Sequence, residues 1–457
     1  MVIVGGGLAG IAVAAALHSA GVAVTLLEAR RELGGRASSF QDAQTGELLD
    51  NCQHVLLGCC TNLLDLYRRL GVEKKISWQR TVHYLDADGR EFNLWAVPGL
   101  PAPLHLSLAM GLFSALSISE RFAMTRAMWA MLRIGRRERE SLEPLPFGDW
   151  LKRHGQPDRL IERFYDPVVI SSLNEETRAA STKYALQVFQ DAMLAHRRGY
   201  LVGLPGCPLE ELYAQRPCPD VRLNTRVSEI LFNANKAVGV QLQNGETLHS
   251  DAVVLATNHH GITRWLPEVL RLRDHRFSGL DKLETVPILG VHLWFDKPVM
   301  RRSHAALFEG PLQWLFRKDD KGMVLHGVIS AARRWADMPR DQAAASFTTQ
   351  LGRLFSGSGA TLLRSRIVVE KRATFSPLPG SDALRPAQAP PAGGVESLFL
   401  AGDYTKTGWP ATMEGAVRSG YLAAEEVIKS LQPDAHPSRF VVPDLPKEFP
   451  SKIIGKR

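Results

Sequence analysis

The sequence opens with Val2-Ile3-Val4-Gly5-Gly6-Gly7-Leu8-Ala9-Gly10, an apolar strand that runs into a glycine turn. The residues from Leu8 to Ser19 are small and apolar, and they predict a helix after that turn. In a Gly-x-Gly-x-x-Gly turn, Gly5 makes the tight bend, Gly7 lets the backbone approach a pyrophosphate, and Gly10 lets the helix lie close to the sheet. The helix N-terminus, with Leu8 and Ala9, then faces the phosphates. The stretch predicts a Rossmann-like α/β domain that binds a dinucleotide.

A second strand and a second glycine pair follow this turn. In the strand Val24 to Ala29, Glu28 lies where a carboxylate accepts hydrogen bonds from ribose hydroxyls, with Ala29 next to it. The alternative is an ordinary turn with Glu28 on the surface. Gly34-Gly35-Arg36 comes next, and a glycine pair with a guanidinium suits the diphosphate of FAD. We therefore expect FAD rather than a nicotinamide cofactor.

Two distant segments have the pattern of further strands of the same domain. Asp251 to Asn258 contains an unbroken apolar run, which is typical of a parallel strand covered on both faces. Ser397 to Asp403 is a hydrophobic strand that ends in Gly402-Asp403, and Asp403 can accept a hydrogen bond from a ribityl hydroxyl or hold a water at the diphosphate. The N–H groups near Thr412 and Met413 open the last helix and can stabilise negative charge on the reduced flavin.

These segments divide the chain into interleaved parts. We expect a discontinuous FAD-binding domain from residues 1–78, 218–265 and 390–432. Residues 79–217 and 266–389 then form an α+β substrate domain. The prolines of residues 433–457, such as Pro433 and Pro437, remove backbone donors and predict a loosely ordered tail.

Composition indicates an ordinary globular protein. The 457 residues are 45% hydrophobic and 22% charged, with a net charge of +8 and no basic block that would argue for nucleic acid. The five cysteines have neither metal-ligand spacing nor a disulfide framework, so we expect reduced thiols in the cytoplasm and no bound metal. Met1 alone precedes the first strand. We therefore expect no export signal, and we expect the natural strand to begin a few residues earlier.

One stretch of the substrate half lacks Asp, Glu, Lys and Arg, from Phe92 to Ser119. Its last part, Leu104 to Ser117, is an apolar helix candidate that is too short to span a bilayer. Ser117-x-x-Glu120 resembles a capping box that starts a second helix, ending in Arg133, Arg136 and Arg137. The pair 104–135 is either a buried helical pair or a surface patch for membrane contact with a lipid substrate.

Together these motifs resemble the FAD-dependent amine oxidase and carotenoid desaturase superfamily. The resemblance implies that Val227 touches the adenine and that Thr257, at a strand end, passes near the dinucleotide; a plain core valine is the alternative for Val227. Some amine oxidases link FAD through a C-terminal cysteine. This sequence has no cysteine beyond Cys218, so FAD is expected to bind non-covalently.

Two strings resemble one branch of the superfamily, the hydroxysqualene dehydroxylases of hopanoid and related pathways. They are Asp50-Asn51-Cys52-Gln53-His54-Val55-Leu56-Leu57-Gly58 and Gly408-Trp409-Pro410-Ala411-Thr412-Met413-Glu414-Gly415-Ala416. The resemblance implies that an allylic hydroxyl of hydroxysqualene is replaced by hydrogen from reduced flavin, giving squalene. It also implies a polyprenoid substrate, an external electron donor, and a cytoplasmic protein that is peripheral at the inner face of the cytoplasmic membrane.

That reaction needs an acid for the leaving hydroxyl and stabilisation of an allylic cation. We expect His54 to be the acid or to orient the hydroxyl, the alternative being a structural histidine near the flavin. Tyr165 is a weaker catalytic candidate, as are Asp166 and Tyr404. Trp409 can offer a π-face to positive charge or simply pack beside the isoalloxazine.

Two other classes of function fit the same cofactor motifs. One is a carotenoid desaturase or an amine oxidase; the latter requires an aromatic cage and a lysine-held water near the flavin, and the sequence does not place that lysine. The other is a non-catalytic lipid- or FAD-binding protein.

Overall fold

The computed structural model describes residues 1–433 and 438–454. At its centre is a five-stranded parallel sheet with mostly buried strands, as expected for a sheet covered by helices. The spatial order is Asp220–Arg222, Thr25–Leu27, Val2–Val4, Val253–Leu255 and Leu398–Leu400. All five strands fall inside the three segments expected to bind FAD, which brings distant parts of the chain into one layer.

The helix Leu8–Ser19 has the predicted bounds and packs against the long helix Met413–Leu431. Close contact depends on Gly420, where a Cβ would lie 2.4 Å from the carbonyl oxygen of Ala9. The two helices therefore lie backbone against backbone beside the parallel sheet.

A seven-stranded mixed sheet forms the core of the substrate half. Its order is Leu362–Phe375, Thr285–Phe295, Val324–Ile329, Trp314–Arg317, His304–Leu307, Thr81–Leu85 and Glu91–Trp95. Along Thr285–Phe295, Val291 and Leu293 pack against the helix Arg340–Leu354, while His292 on the other face reaches the backbone of Asp50. The sheet thus has an apolar outer face and a partly polar face towards the FAD-binding domain.

The remaining strands form three small antiparallel sheets. They are Val227–Asn233 with Lys236–Leu242 and Thr247–His249; Ser39–Gln41 with Leu48–Asp50; and Leu56–Leu57 with Val202–Pro205 and Ile76–Gln79.

The further helices belong mainly to the substrate half. The α-helices are Thr61–Arg69, Ser107–Leu112, Ile118–Arg133, Arg136–Ser141, Phe147–Arg153, Asp158–Leu160, Asp166–Leu173, Thr182–Phe189, Glu268–Arg273, Arg333–Ala336, Ser381–Leu384 and Ser451–Ile454. Short 3₁₀ turns are Glu73–Lys75, Leu104–Leu106, Leu209–Leu212, Thr263–Trp265, His275–Phe277, Leu280–Lys282 and Ser356–Ser358. Two wider π-turns are Ile161–Tyr165 and Gln190–Leu194.

The uncharged stretch differs in part from its prediction. The predicted helix Leu104 to Ser117 is only a 3₁₀ turn followed by Ser107–Leu112, because Phe113 turns in extended conformation into the core. The second helix, Ile118–Arg133, does begin with the predicted capping box of Ser117 and Glu120. Arg136 and Arg137 belong to a separate helix, which begins after Gly135.

The expectation of a loosely ordered tail is wrong for residues 438–454. The backbone N–H of Phe440 donates to Glu425 (2.6 Å), and Glu448 accepts from the N–H of Ala102 (2.8 Å). Hydrogen bonds in both directions therefore fix this proline-rich segment to the protein body: Glu425 of the body accepts from the segment, and Glu448 of the segment accepts from the body. Pro437 lies outside the described residues.

Candidate active site

A cavity of about 630 Å³ lies between the two halves of the molecule. Val4, Leu27 and Ala256 bring the carboxyl ends of parallel strands to one wall, which is where ligands bind in such sheets. Ile288 and Val328 of the seven-stranded sheet contribute to the opposite wall.

The glycine turn has the geometry that a dinucleotide requires. Gly5 has φ +111°, and a Cβ there would lie 2.7 Å from the carbonyl oxygen of Ala256. Gly10 packs the helix onto the turn, since its Cβ would lie 1.9 Å from the carbonyl oxygen of Gly5. A Cβ at Gly7 would have its nearest neighbouring atom 3.9 Å away, and no side chain caps the helix. The first N–H groups, near Leu8 and Ala9, are therefore available to phosphates.

Glu28 is fixed at the end of its strand by two backbone donors. Its Oε2 accepts from the N–H of Gly6 (2.7 Å), and its Oε1 accepts from the N–H of Arg30 (2.8 Å). The carboxylate is buried in the cavity wall, and its remaining lone pairs can accept further hydrogen bonds, such as those that ribose hydroxyls donate.

Arg36 and Asp403 form an ion pair at the cavity wall. The Nη2 of Arg36 lies 2.8 Å from the Oδ1 of Asp403, and its Nη1 donates to the carbonyl oxygen of Ala373 (2.6 Å). The ion pair holds the guanidinium in place and leaves Oδ2 of Asp403 for a hydroxyl or a water.

The start of the last helix also reaches the cavity. The hydroxyl of Thr412 accepts from the N–H of Gly415 (3.0 Å) and so caps the helix. The N–H of Met413, in the first turn, has no acceptor within the helix and lies at the cavity wall with Thr412.

The other residues expected to bind FAD line the same cavity, with one difference. Ala29, Gly35, Val227, Thr257 and Gly402 all contribute to its wall. Gly10 does not, because its role is to let helix and turn pack together.

Tyr165 is placed elsewhere, and its catalytic assignment is corrected. It is fully buried among Phe147, Phe164 and Phe189, and its hydroxyl donates to Gln156 (3.0 Å). It lies outside the described cavity wall because its turn, Ile161–Tyr165, directs it into the helical core.

His54 lines the cavity, and its Nδ1 lies 3.1 Å from the carbonyl oxygen of Cys52. Because a carbonyl only accepts, Nδ1 carries the hydrogen. Burial lowers the pKa of His54, so the ring is neutral and its Nε2 is an acceptor. This geometry favours orientation of a hydroxyl over donation of a proton.

Trp409 is buried at the cavity wall, and the guanidinium of Arg418 lies 4.8 Å from its ring centroid. Arg418 is held in turn by Glu414 and Asp444. One face of the indole therefore already carries a cation, and the ring contributes to the wall of the cavity.

The sequence did not reveal the wall formed by the substrate half. Gln187, Asp191 and Ser171 come from helices, and Trp314 and Phe316 come from the seven-stranded sheet. No local motif marks them, since they meet only through tertiary packing.

The family model for flavin-containing amine oxidoreductases matches residues 8–428. The chain belongs to this family. Proteins with similar sequences include a 15-cis-phytoene desaturase of Capsicum annuum, 28% identical over 460 residues that cover 94% of this chain and 78% of the relative. A hydroxysqualene dehydroxylase of Rhodopseudomonas palustris is 29% identical over 439 residues, 93% of this chain and 97% of the relative.

Solved structures of oxidoreductases have the same fold. Cyclohexylamine oxidase from Brevibacterium oxydans matches with a TM-score of 0.67 at 19% identity, covering 94% of this chain and 99% of that one. An oxidoreductase from Methanosarcina mazei matches with a TM-score of 0.68 at 16% identity, with the same coverage. The glycine turn, Glu28 and the helix N-terminus fit FAD, and the chain is an FAD-dependent oxidoreductase of this family.

Proposed function

We propose that the chain reductively removes the allylic hydroxyl of hydroxysqualene, giving squalene for hopanoid or related pathways. Bound, reduced FAD supplies the hydride for the carbon that loses the hydroxyl. The hydroxyl oxygen takes a proton and leaves as water, so the substrate gains two electrons. An external electron donor is needed to reduce the flavin again, because the sequence has a single dinucleotide fingerprint.

The observation that carries the proposal is the neutral His54 at the cavity wall. Its Nε2 can accept a hydrogen bond from a substrate hydroxyl. A hydrocarbon such as phytoene has no hydroxyl that could donate this bond. A hydroxysqualene dehydroxylase is 29% identical over nearly the whole of both chains, which is compatible with the same reaction, and a phytoene desaturase is 28% identical. Trp409, which lines the cavity, has a π-system that is suited to positive charge on the allylic carbons.

Among the described residues, the cavity wall lacks one feature that is expected of an amine oxidase. Within the described residues this wall contains no lysine to hold a water beside the flavin. Lys318, on the polar side of the seven-stranded sheet, pairs with Asp50 at 3.0 Å.

The test is a single turnover of the holoenzyme. Flavin is reduced anaerobically, hydroxysqualene is added, and squalene and flavin absorbance are measured. We expect squalene in proportion to the flavin oxidised. Desaturation of phytoene by the oxidised enzyme, or peroxide from an amine in air, with no squalene formed, would reject the proposal.

The same proposal includes peripheral contact with an anionic membrane through the segment 104–135. No helix within residues 1–433 and 438–454 is long and apolar enough to cross a bilayer. Leu112, Ile118, Phe122 and Trp129 are nevertheless 63%, 67%, 74% and 52% exposed. Exposed arginines follow on the same segment and its neighbour: Arg126, Arg133, Arg136 and Arg137. Apolar side chains with a cationic margin suit the interface of an anionic bilayer.

Vesicle sedimentation tests this contact. The double variant F122S/W129S is expected to bind phosphatidylglycerol-containing vesicles at least about tenfold more weakly, since two large apolar side chains leave the interface. The control L272S/L363S removes two equally exposed leucines elsewhere and is expected to bind as the wild type does. Equal loss in both double variants would contradict the assignment.

A further inference from the structure

Asp191 lies in the π-turn Gln190–Leu194, where the N–H of Ala195 donates to the carbonyl oxygen of Gln190 (2.8 Å). A helical turn widened by one residue changes the direction of its side chains, and such turns recur at functional sites. Asp191 is part of the cavity wall, next to Gln187 one turn earlier. The fold therefore places the carboxyl group of Asp191 in the wall of the cavity that also contains the residues expected to bind FAD.

The surroundings of Asp191 provide weak partners for a carboxylate. Arg139 lies 3.9 Å away, beyond hydrogen-bond distance, and its Nη1 donates instead to Gln190 (2.8 Å). Burial raises the pKa of Asp191, and the charge of Asp444 adds to this, while Arg139, Gln187 and Arg418 oppose it. Asp191 therefore stays protonated to a higher pH than an ordinary aspartate does.

Gln187, whose side chain also hydrogen-bonds Asp191, supplies a second observation through its other amide atom. It is 4% exposed, and its Oε1 has no hydrogen-bond partner among the described residues. A buried acceptor without a donor is costly, and it is satisfied when a hydroxyl approaches. The amide beside Asp191 is thus suited to accept from a substrate hydroxyl or from the protonated carboxyl group.

The other acids of the cavity wall are already engaged. Glu28 accepts two backbone N–H groups, and Asp403 accepts from Arg36. Glu414 accepts from Asn62, Leu63 and Arg418. Glu370 faces the charge of Arg36 and accepts from a backbone N–H. The thiol of Cys52 is too weak an acid, because burial raises its pKa to about 12.

From these observations we propose that Asp191 donates the proton that converts the leaving hydroxyl of the substrate into water. This inference rests on the proposed dehydroxylation. The carboxyl O–H bond breaks as the water O–H bond forms, the C–O bond of the substrate breaks, and a hydride from reduced FAD completes the new C–H bond. Asp191 is left as the carboxylate and regains its proton from solvent. His54 accepts a hydrogen bond from the substrate hydroxyl, and Gln187 accepts one from the carboxyl group of Asp191 or from that hydroxyl.

The test compares wild type with D191N and D191E in anaerobic single turnovers with hydroxysqualene. A general acid contributes about 10²- to 10⁴-fold, so D191N is expected to form squalene at least about 100-fold more slowly. The wild-type rate is expected to fall as pH rises through the pKa of Asp191, and D191N to lack this limb. D191E is expected to recover part of the rate with a shifted limb. E162Q, an exposed residue of the other π-turn, is the matched control and is expected to react at the wild-type rate.

Binding to the oxidised holoenzyme provides a readout that does not depend on turnover. Because Asn keeps the shape of Asp, D191N is expected to retain FAD and to bind hydroxysqualene within about threefold of wild type. A wild-type rate and pH profile in D191N would overturn this proposal alone, as would a loss of rate matched by an equal loss of binding. Failure of the wild type to form squalene would overturn the proposed function together with this inference.

Discussion

At the scale of single residues, His54 shows how a backbone contact limits the chemical role of a side chain. The sequence left open whether this ring is an acid, an orienting group or a structural histidine. The carbonyl oxygen of Cys52 fixes the hydrogen on Nδ1, and burial keeps the ring neutral. The ring is then an acceptor at the cavity wall, so a different group is needed to protonate the leaving oxygen.

Replacing His54 by phenylalanine is expected to weaken binding of hydroxysqualene to the oxidised holoenzyme. One lost hydrogen bond corresponds to about two- to tenfold in the dissociation constant. Squalene has no hydroxyl, so its affinity is expected to stay the same. Titration of the flavin spectrum measures both, and an equal weakening for the two ligands would contradict the assigned contact.

At the scale of secondary-structure elements, Glu414 joins two helices at the cavity. It belongs to the first turn of Met413–Leu431, and its carboxylate accepts from the N–H groups of Asn62 (3.1 Å) and Leu63 (2.8 Å) at the start of Thr61–Arg69. A fully buried carboxylate thus caps one helix while it pairs with Arg418 on its own helix.

The variant E414A is expected to lower the free energy of unfolding by about 3 kcal/mol or more, since buried N–H groups and a buried guanidinium lose their acceptor. E426A, on the exposed side of the same helix, is expected to change it by about 0.5 kcal/mol or less. Urea unfolding followed by circular dichroism measures both. A loss below about 1 kcal/mol in E414A would show that the helices do not depend on this contact.

Several elements could be predicted because their signals are local. The turn and helix from Gly5 to Ser19 follow from glycine spacing, and the start of Ile118–Arg133 follows from Ser117 and Glu120. The helix predicted from Leu104 was too long, because burial of Phe113 overrides the apolar pattern. The anchoring of the tail from residue 438 was not predicted because its partners belong to other elements, such as Glu425 in the helix Met413–Leu431.

At the scale of the whole molecule, many histidines are buried in the neutral form. Burial lowers the pKa of His105, His259 and His304 to about 4. The unfolded chain binds protons at these rings as pH falls below about 6.5, whereas the folded chain does so only near 4. The free energy of unfolding therefore decreases as pH falls through this interval.

Thermal unfolding of the holoenzyme with excess FAD is expected to show a clearly lower Tm at about pH 5 than at about pH 7.5. One such ring contributes on the order of 2 kcal/mol at pH 5. H105F removes a ring whose two nitrogens have no partner among the described residues, so its Tm is expected to depend less on pH. An unchanged pH dependence in H105F would contradict the role of His105.

The sequence by itself determined the FAD site, because a phosphate-binding turn depends on the backbone of a few neighbouring residues and on glycines at fixed spacing. Glu28, Gly35 and Thr412 could be predicted as parts of that site before any fold was known. Only the tertiary structure decided which groups share the cavity with the flavin and in which protonation state. In the structure Tyr165 lies in the helical core, and Asp191 lies in the wall of the cavity. The physical reason is that burial, which has the largest effect on the proton affinity of His54 and Asp191, is produced by segments far apart in the chain.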